Sequence, residues 1–517
     1  DFSDYRLLQR EFHKERRYLP IRQLINRAGG AIRALTPVFM MSPMSVAQFL
    51  DPGKHHFDVV VMDEASQIQP QDALGAIVRA EQMIIVGDSK QLPPTDFFKK
   101  VMENPDDDEE EMVFNSYDAD ESILKKCEQL HFPTESLLWH YRSEHESLIA
   151  FSNARWYDNE LIIFPSSGIS STKLGILYHY VAGATYTSGR NVNEVEGEYV
   201  AKKIIEHARR SPELSLGVGT LNLRQRILIE DILARLIKKD PSAELSLAKL
   251  NEAHDGTEPL FIKNLENLQG DERDVIFISC TFGPDPETGI VSMNFGPLVR
   301  ENGWRRLNVL TTRAKKRVEV ITSMKAEDIR EESGKDSRIA LRDYLKYAET
   351  GILPDYGRPT GRSPDSDFEC AVAQVVRNMG YEAVPQVGVA GYFVDIGVRN
   401  PVRPGEYVLG IECDGAQYHS SLHARDRDRL REEVLRRRGW EIHRIWSTDW
   451  FKNRDSEMER LRKKLEELVQ KSSPRVVEVA ESEELRPQVP VESRSRVSDT
   501  ELRARLTSYC RENIARS

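Results

Sequence analysis

The feature that most constrains the fold is a pair of short apolar runs, each ending in acidic residues. Phe57–Met62 leads directly into Asp63-Glu64, and Met83–Val86 leads into Gly87-Asp88. Both runs have the length of a β-strand, and a stretch with a helical pattern separates them. Strands that are largely apolar, alternating with helices, predict a parallel sheet that is covered on both faces.

The same alternation continues through most of the chain and divides it into predicted domains. We predict one parallel-sheet domain over 1–130, incomplete and carrying an acidic insertion at about 103–121, and a second over 131–350. A proline- and glycine-rich linker (351–366), a small α/β unit (367–455) and a charged tail (456–517) follow. Further strand candidates are Gly175–Val181, Leu214–Thr220, Asp274–Cys280 and Arg317–Thr322.

Composition excludes several classes of protein. The 517 residues include 72 Lys and Arg against 83 Asp and Glu, a net charge of −11, and six of the acids form the run 106–111. The five cysteines are scattered without a CxxC pair, which argues against a disulfide framework or a structural zinc site and favours the cytoplasm. No stretch approaches the ~18 apolar residues of a membrane span, so we expect no membrane partner.

Acidic residues at the carboxyl ends of parallel strands predict a ligand site, because ligands bind in the crevice at that edge of the sheet. Asp63 can hold Mg²⁺ there, and Glu64 can orient or deprotonate an attacking water. In the string Gly87–Pro94, which follows the next strand, the Gln91 amide can bond a γ-phosphate or that water.

Three further strings follow in a fixed order along the chain. They are His140–Ser143, Gln269–Asp274 and Asn308–Lys315. Arg142 and Arg313, offered from a second domain, suit the negative charge that develops on a transferred phosphoryl group.

In this order the five strings resemble the C-terminal part of a superfamily 1 helicase core, nearest the branch of the eukaryotic RNA-decay and DNA-end helicases. The resemblance covers about residues 30–325. It implies two RecA-like domains, with ATP in the cleft between them and single-stranded nucleic acid across the top. By this resemblance, Asp63 and Glu64 would be the Mg²⁺ and water residues of motif II, and Gln91 would sense the γ-phosphate. Arg142 and Arg313 would be the arginine fingers, and Glu272 would contact the ribose.

The chain departs from that family in one respect. The phosphate-binding GxxxxGK[ST] loop is absent from the sequence, and with it the backbone amides and lysine that cradle the phosphates. Because the chain opens without Met in a helical pattern, we expect it to be a piece of a longer protein whose N-terminal part supplies the loop. The parent is predicted to be an ATPase, and this piece alone is not.

The small unit carries a second set of acidic residues. An amphipathic helix begins near Phe368 with Glu369 beside its apolar stripe. Two adjacent strand candidates then carry Asp395 and the pair Glu412-x-Asp414. Carboxylates on neighbouring strands can converge on one side of a sheet, where their oxygens suit Mg²⁺ or Mn²⁺.

Basic and imidazole side chains follow the acidic strand. His419 offers an acid, base or ligand, and Arg427 and Arg431 share one helix face, from which they can bind a DNA phosphate. From these residues alone, a small α/β domain whose acids merely pair with nearby arginines stays equally open.

The arrangement is similar to the PD-(D/E)XK nucleases, closest to the compact very-short-patch-repair endonucleases, over about residues 366–452. The resemblance implies a small restriction-endonuclease-like α/β domain. The usual lysine of the Glu-x-Lys motif is replaced by Asp414, so the group that activates water is not assigned. The site residues implied are Glu369, Asp395, Glu412, Asp414 and His419.

Together these resemblances predict part of an ATP-dependent DNA helicase or translocase coupled to a Mg²⁺-dependent endonuclease, with single- or double-stranded DNA as its partner. Large bacterial helicase–nuclease proteins share this order of domains, and some act in defence against foreign DNA; DNA repair is the other expected role. Two alternatives stay open: a non-enzymatic nucleic-acid clamp with a degenerate nuclease fold, and an RNA-directed helicase.

Overall fold

The computed structural model describes residues 2–94, 121–168, 174–299, 302–330, 336–353, 366–388, 392–403, 405–414 and 431–472. Residues 1–472 form one compact unit. Most of the predicted acidic insertion and linker, His419, Arg427 and the chain beyond 472 lie outside the described residues. No helix among the described residues is long and apolar enough to cross a membrane.

The first part of the chain forms a small parallel sheet with helices around it. Two strands pair in parallel, with Val60 opposite Met83. The apolar side chains of Val59, Val61 and Ile84 stay exposed, because two strands and few helices cannot cover both faces of a sheet. This is the predicted incomplete RecA-like domain. Its elements are α1 (Phe2–Phe12), α2 (Ile21–Leu35), α3 (Pro43–Phe49), β1 (Phe57–Met62), α4 (Pro70–Ile77), β2 (Ala80–Ile85) and α5 (Ile123–Gln129).

The second part contains a five-stranded, all-parallel sheet between two layers of helices. Its elements are β3 (Trp139–His140), α6 (Ser147–Trp156), β4 (Ile162–Ile163), β5 (Gly175–Tyr180), α7 (Glu194–Arg210), β6 (Leu216–Thr220), α8 (Leu223–Lys239), α9 (Pro241–Glu252), β7 (Phe261–Asn264), β8 (Arg273–Ser279), α10 (Gly303–Thr311), β9 (Ala314–Thr322) and α11 (Asp336–Thr350). The strand order is β5-β9-β8-β6-β7.

Alternation along the central strand explains why both faces of this sheet are covered. Ile276 and Ile278 lie in one core with α6, α10 and α11. Val275 and Phe277 lie in the other core with α7, α8 and α9. Successive side chains of a strand point to opposite faces, so this strand is apolar at each position from Val275 to Ile278 and packs against both helix layers. The four predicted strands of this domain are confirmed, with ends that differ by no more than a few residues.

The third part is a smaller domain around a mixed four-stranded sheet. Its strand order is β10-β11-β12-β13, with two antiparallel pairs and a final parallel one. The elements are α12 (Asp367–Asn378), β10 (Ala383–Val387), β11 (Val394–Arg399), β12 (Tyr407–Asp414), α13 (431–437), β13 (Ile442–Trp446), α14 (Ser447–Lys452) and α15 (Arg454–Ser472).

Helix α15 corrects the predicted end of this domain at residue 455. Leu461 and Leu465 are fully buried in one apolar core with Val372 and Val376 of the predicted amphipathic helix. Residues 454–472 are therefore part of the small domain rather than of the charged tail. The predicted limits at 130, 350 and 366 stay predictions.

A separate apolar cluster joins the second part of the chain to the small domain. The short strands β3 and β4 pair in parallel, and Phe164, directly after β4, is fully buried beside Val394, Tyr407 and Trp440. Burying a phenylalanine side chain stabilises a fold by about 1.5–3 kcal/mol. The two parts of the chain therefore share a packed contact.

Candidate functional site

The carboxyl end of β1 carries the first pair of predicted site residues. The amide of Ala65 donates to the Val86 carbonyl (2.9 Å), so the ends of β1 and β2 stay joined just beyond the sheet. Between them, Glu64 adopts a left-handed backbone conformation with φ of 51°, which costs a residue with a side chain free energy and is typical of functional turns. Asp63 is exposed and its carboxylate accepts the Glu64 amide at 2.9 Å.

Side chains from the second domain reach this edge of the first. Gln269 Nε2 donates to Glu64 Oε2 at 3.1 Å and to Gln91 Oε1 at 3.4 Å. Arg313 Nη2 donates to the same Gln91 oxygen at 3.5 Å. The structure therefore brings Glu64, Gln91 and Arg313 together, although they are far apart in the sequence.

The two predicted arginine fingers lie near each other. Arg313 is buried and donates from Nε to the Val309 carbonyl at 2.8 Å. Burial, helped by the neighbouring charge of Arg142, lowers the pKa of Arg313 to about 10, so its guanidinium keeps its charge at neutral pH. Arg142 Nε lies 2.9 Å from Glu272 Oε2, and Lys315 Nζ lies 3.4 Å from the other oxygen of that carboxylate. Glu272 thus pairs with two cations, and its contact to a ribose stays a prediction.

A second set of hydrogen bonds crosses between the same domains. The Tyr157 hydroxyl donates to Asp88 Oδ2 at 2.6 Å, and Asn308 Nδ2 donates both to that hydroxyl and to the Lys90 carbonyl at 3.0 Å. Burial raises the pKa of Tyr157, so the hydroxyl stays protonated and can donate. These bonds fix the loop that carries Gln91 against helix α10.

Sequence analysis missed the roles of Gln269, Tyr157 and Asn308. Gln269 and Asn308 each begin one of the strings described above, which was the available signal. Tyr157 directly follows helix α6 and belongs to no motif, so only the fold reveals its position.

The small domain positions its first acidic residue at the start of α12. The Ser366 hydroxyl caps the helix by accepting the Glu369 amide at 3.2 Å and donates to Glu369 Oε1 at 2.9 Å. Gln386 Nε2 donates to the other carboxylate oxygen at 2.9 Å. Glu369 is buried by these contacts, and Gln386 is a further residue that sequence analysis missed.

The adjacent strands β11 and β12 bring the other three carboxylates to one end of the sheet. Ile396 pairs with Ile411, which places Asp395 beside Glu412. Asp395 Oδ2 accepts the Cys413 amide at 2.7 Å, and Glu412 Oε1 accepts the Tyr392 hydroxyl at 2.9 Å. Asp414 Oδ2 lies 3.1 Å from Arg444 Nε on the neighbouring strand β13.

Crowding and burial shift the acidity of this cluster. Burial, assisted by the charges of Glu369 and Asp414, raises the pKa of Asp395 to about 6. Burial, assisted by Asp395, raises the pKa of Glu412 to about 8. Both shifts favour the protonated carboxyl groups, chiefly because burial penalises the charged form.

The donor set fits a hard divalent cation in chemical type, since Mg²⁺ and Mn²⁺ prefer carboxylate oxygens. The arrangement is less complete: among the described residues, no three His, Cys, Asp or Glu side chains converge on one point. Asp395, Glu412 and Asp414 are instead each held by a different protein group.

A small cavity of about 40 Å³ opens beside the carboxylates. Arg431 and Arg444 line it together with Tyr392, Glu412 and Asp414. The Arg431 guanidinium lies 5.6 Å from the centre of the Tyr392 ring. The structure thus places Arg431 beside the acidic cluster, and its contact with DNA stays a prediction. Arg444 is a basic residue that sequence analysis did not select.

Family models match all three parts of the chain. Two models described as AAA domain match residues 45–98 and 119–325, and the model REase_MTES_1575 matches residues 368–465. Over these residues the chain is similar to AAA domains followed by a restriction-endonuclease-like domain. This confirms the fold class and the resemblance to a superfamily 1 helicase fused to a nuclease domain.

Curated relatives are similar over the same regions. The chain is 29% identical over 452 residues to "Uncharacterized ATP-dependent helicase MG140 homolog" of Mycoplasma pneumoniae, covering 83% of this chain and 38% of that protein. It is 29% identical over 447 residues to "Uncharacterized ATP-dependent helicase MG140" of Mycoplasma genitalium, covering 82% and 38%. It is 27% identical over 267 residues to "DNA replication ATP-dependent helicase/nuclease DNA2" of Gallus gallus, covering 50% and 22%. The chain therefore spans well under half the length of these relatives.

Proposed function

We propose that this chain is part of an ATP-dependent superfamily 1 DNA helicase or translocase that is coupled to a metal-dependent endonuclease. The observation that carries the proposal is the contact of Gln269 and Arg313 with Glu64 and Gln91. A nucleotide bound between two domains requires groups from both to meet at its γ-phosphate. The names of the relatives, which include ATP-dependent helicases and a DNA helicase/nuclease, support the same activity.

In the ATP site, the chain's own residues supply charge and orientation. Arg313 and Arg142 would face the transferred phosphoryl group, where guanidinium groups stabilise the charge that develops. Glu64 would take the proton of the attacking water or orient it, and Asp63 would hold Mg²⁺. A bound Mg²⁺ neutralises phosphate charge. This sequence contains no GxxxxGK[ST] loop to cradle the phosphates, so we expect this chain alone to bind ATP weakly.

In the small domain, Asp395, Glu412 and Asp414 would hold Mg²⁺ or Mn²⁺. A divalent cation at such a site activates water and stabilises a pentavalent phosphate. Arg431 and Arg444 would face the DNA phosphate from the cavity wall, with Arg427 expected nearby, and His419 would act as acid, base or ligand. Gln386 holds Glu369 and bonds Asp395 as well, so it would orient two carboxylates.

One observation favours the non-enzymatic clamp as a second candidate. Each strand carboxylate has a protein partner, which is also what a domain kept only for docking would show. For the enzyme, we propose DNA as the substrate, with RNA as the alternative, and defence against foreign DNA or DNA repair in the cytoplasm as the setting.

DNA cleavage separates the two candidates. We expect the chain to cut labelled single- or double-stranded DNA with Mg²⁺ or Mn²⁺, and Asp414→Ala to lower the rate at least about 100-fold. Asp449→Asn, on the exposed face of α14, is the matched control and should cut DNA at the same rate as the unsubstituted chain. Cleavage that survives Asp414→Ala would contradict the assigned site, and metal-independent DNA binding without cleavage by the full-length parent with ATP would favour the clamp.

A further inference from the structure

The contact between the helicase domains and the small domain centres on the Phe164 ring. That ring lies 5.6 Å from the ring of Trp139, in an edge-on arrangement, and 5.0 Å from the ring of Tyr392. Trp139 belongs to β3 in the second domain, whereas Tyr392 precedes β11 in the small domain. Phe164 is fully buried between them, so displacement of one neighbouring ring requires the others to repack.

Side chains of the small domain also donate hydrogen bonds to backbone carbonyls next to β3 and β4. The Arg438 guanidinium donates to the carbonyl oxygen of Phe164 and, at 3.3 Å, to that of His140. Trp440 Nε1 donates to the Pro165 carbonyl at 3.0 Å. His140 lies two residues before Arg142, so the small domain grips the segment that carries a predicted arginine finger.

The other end of this contact reaches the nuclease carboxylates. Tyr392, whose ring packs on Phe164, donates its hydroxyl to Glu412 Oε1 at 2.9 Å. Glu412 is thereby turned toward Tyr392, while Asp395 accepts the Cys413 amide. From Trp139, three residues before Arg142, a path to Glu412 therefore runs through packed rings and a hydrogen bond.

We propose that Phe164 positions Tyr392 against Glu412, so that the helicase domains hold this carboxylate back from a shared metal site. Movement of the segment that carries Arg142 would shift Phe164 and release Glu412 to join Asp395 and Asp414 around a divalent cation. A contact transmits control only if the element has two arrangements that the two sites favour differently. This inference rests on the proposed nuclease function and makes Tyr392 a positioning residue.

Manganese binding by the full chain tests the inference without relying on cleavage. Free Mn²⁺ gives an electron paramagnetic resonance signal that is lost on binding, and loss of that binding in Asp414→Ala assigns it to the carboxylate cluster. Tyr392→Phe removes the hydroxyl but keeps the ring, so we expect Mn²⁺ affinity to rise roughly threefold to tenfold, the effect of one ordinary hydrogen bond. Tyr407→Phe is the matched control from the same apolar cluster.

Phe164→Leu tests the other half of the path. This change keeps most of the buried volume but loosens the contact with the Tyr392 ring. As a single substitution it should therefore raise Mn²⁺ affinity. In the Tyr392→Phe background it should add little, since residues on one path have non-additive effects.

The outcomes distinguish this inference from the proposed function. If the unsubstituted chain, Tyr392→Phe and Phe164→Leu all bind Mn²⁺ with equal affinity, the inference is overturned. The assignment of the metal site would then still stand. Full additivity of the two changes would also overturn it. If no variant shows binding that Asp414→Ala removes, the metal-dependent function fails and the inference falls with it.

Discussion

Individual polar side chains orient predicted site residues in both halves of the molecule. Gln269 is hydrogen-bonded to Glu64 and Gln91, and Tyr392 to Glu412. In both cases a neutral polar group orients a residue that the motifs had already selected. A neutral hydrogen-bond donor of this kind decides whether a charged side chain points at a ligand or at the protein.

Glu196 gives a prediction about pH. It is fully buried on α7, where its carboxylate accepts the Ser279 hydroxyl and the Thr281 amide at 2.6 Å, and burial raises its pKa from 4.5 to about 7. Below pH 4.5 the carboxyl is protonated in both states. Between 4.5 and 7 only the unfolded chain loses the proton, so the free energy of unfolding falls as pH rises, and above 7 the loss is complete.

Glu196→Gln should remove this dependence. Between pH 5 and pH 8, we expect the unfolding free energy of the unsubstituted chain to fall by about 1–3 kcal/mol more than that of the variant. Urea unfolding at both pH values measures this. Glu194→Gln changes an exposed acid of the same helix and is the control. An equal shift in both variants would show that Glu196 ionises in the folded chain without cost.

At the scale of elements, helix α15 shows how a charged segment becomes part of a core. Met458, Leu461, Leu465, Leu468 and Val469 recur at helical spacing and face the sheet of the small domain. The rest of the helix is charged. An apolar stripe this narrow, next to a Pro- and Ser-rich segment, has the sequence pattern of a charged tail. Only the surface it packs against shows that the helix belongs to the domain.

Leu461→Ala tests the place of α15 in the domain. Removing a fully buried leucine side chain should lower the free energy of unfolding of the small domain by about 2–5 kcal/mol. The exposed Lys463→Ala in the same helix is the control, and hydrogen exchange along β12 is the measurement. A Leu461→Ala chain as protected as the control would show that α15 is not part of the core.

The sequence was sufficient for features that depend on local pattern. The central strand of the second domain is apolar from Val275 to Ile278 because both of its faces are buried, and the acids that follow β1 and β2 lie where the apolar runs end. Arg444, Gln386 and Phe164 could not be predicted, because their roles depend on which elements meet. Arg444 reaches Asp414 only because β13 pairs in parallel with β12, and no spacing in the sequence specifies that pairing.

At the scale of the whole molecule, one packed contact joins the second domain to the small domain. The residues proposed for ATP lie where the first two domains meet, and the carboxylates proposed for the nuclease lie on the small sheet. Arg438 of the small domain donates to the carbonyl of His140, two residues before Arg142. A change at the proposed nucleotide site would therefore have a physical route to the carboxylates.

The most direct test of this account is DNA cleavage by the full-length parent protein, measured with and without ATP. We predict that ATP changes the cleavage rate of the parent, that Arg313→Ala loses this response, and that Asp414→Ala loses cleavage in both conditions. Arg235→Ala, on exposed α8 surface, is the control and should respond to ATP like the parent. A cleavage rate that is the same with and without ATP, or an ATP response that survives in Arg313→Ala, would contradict the coupling of the two sites.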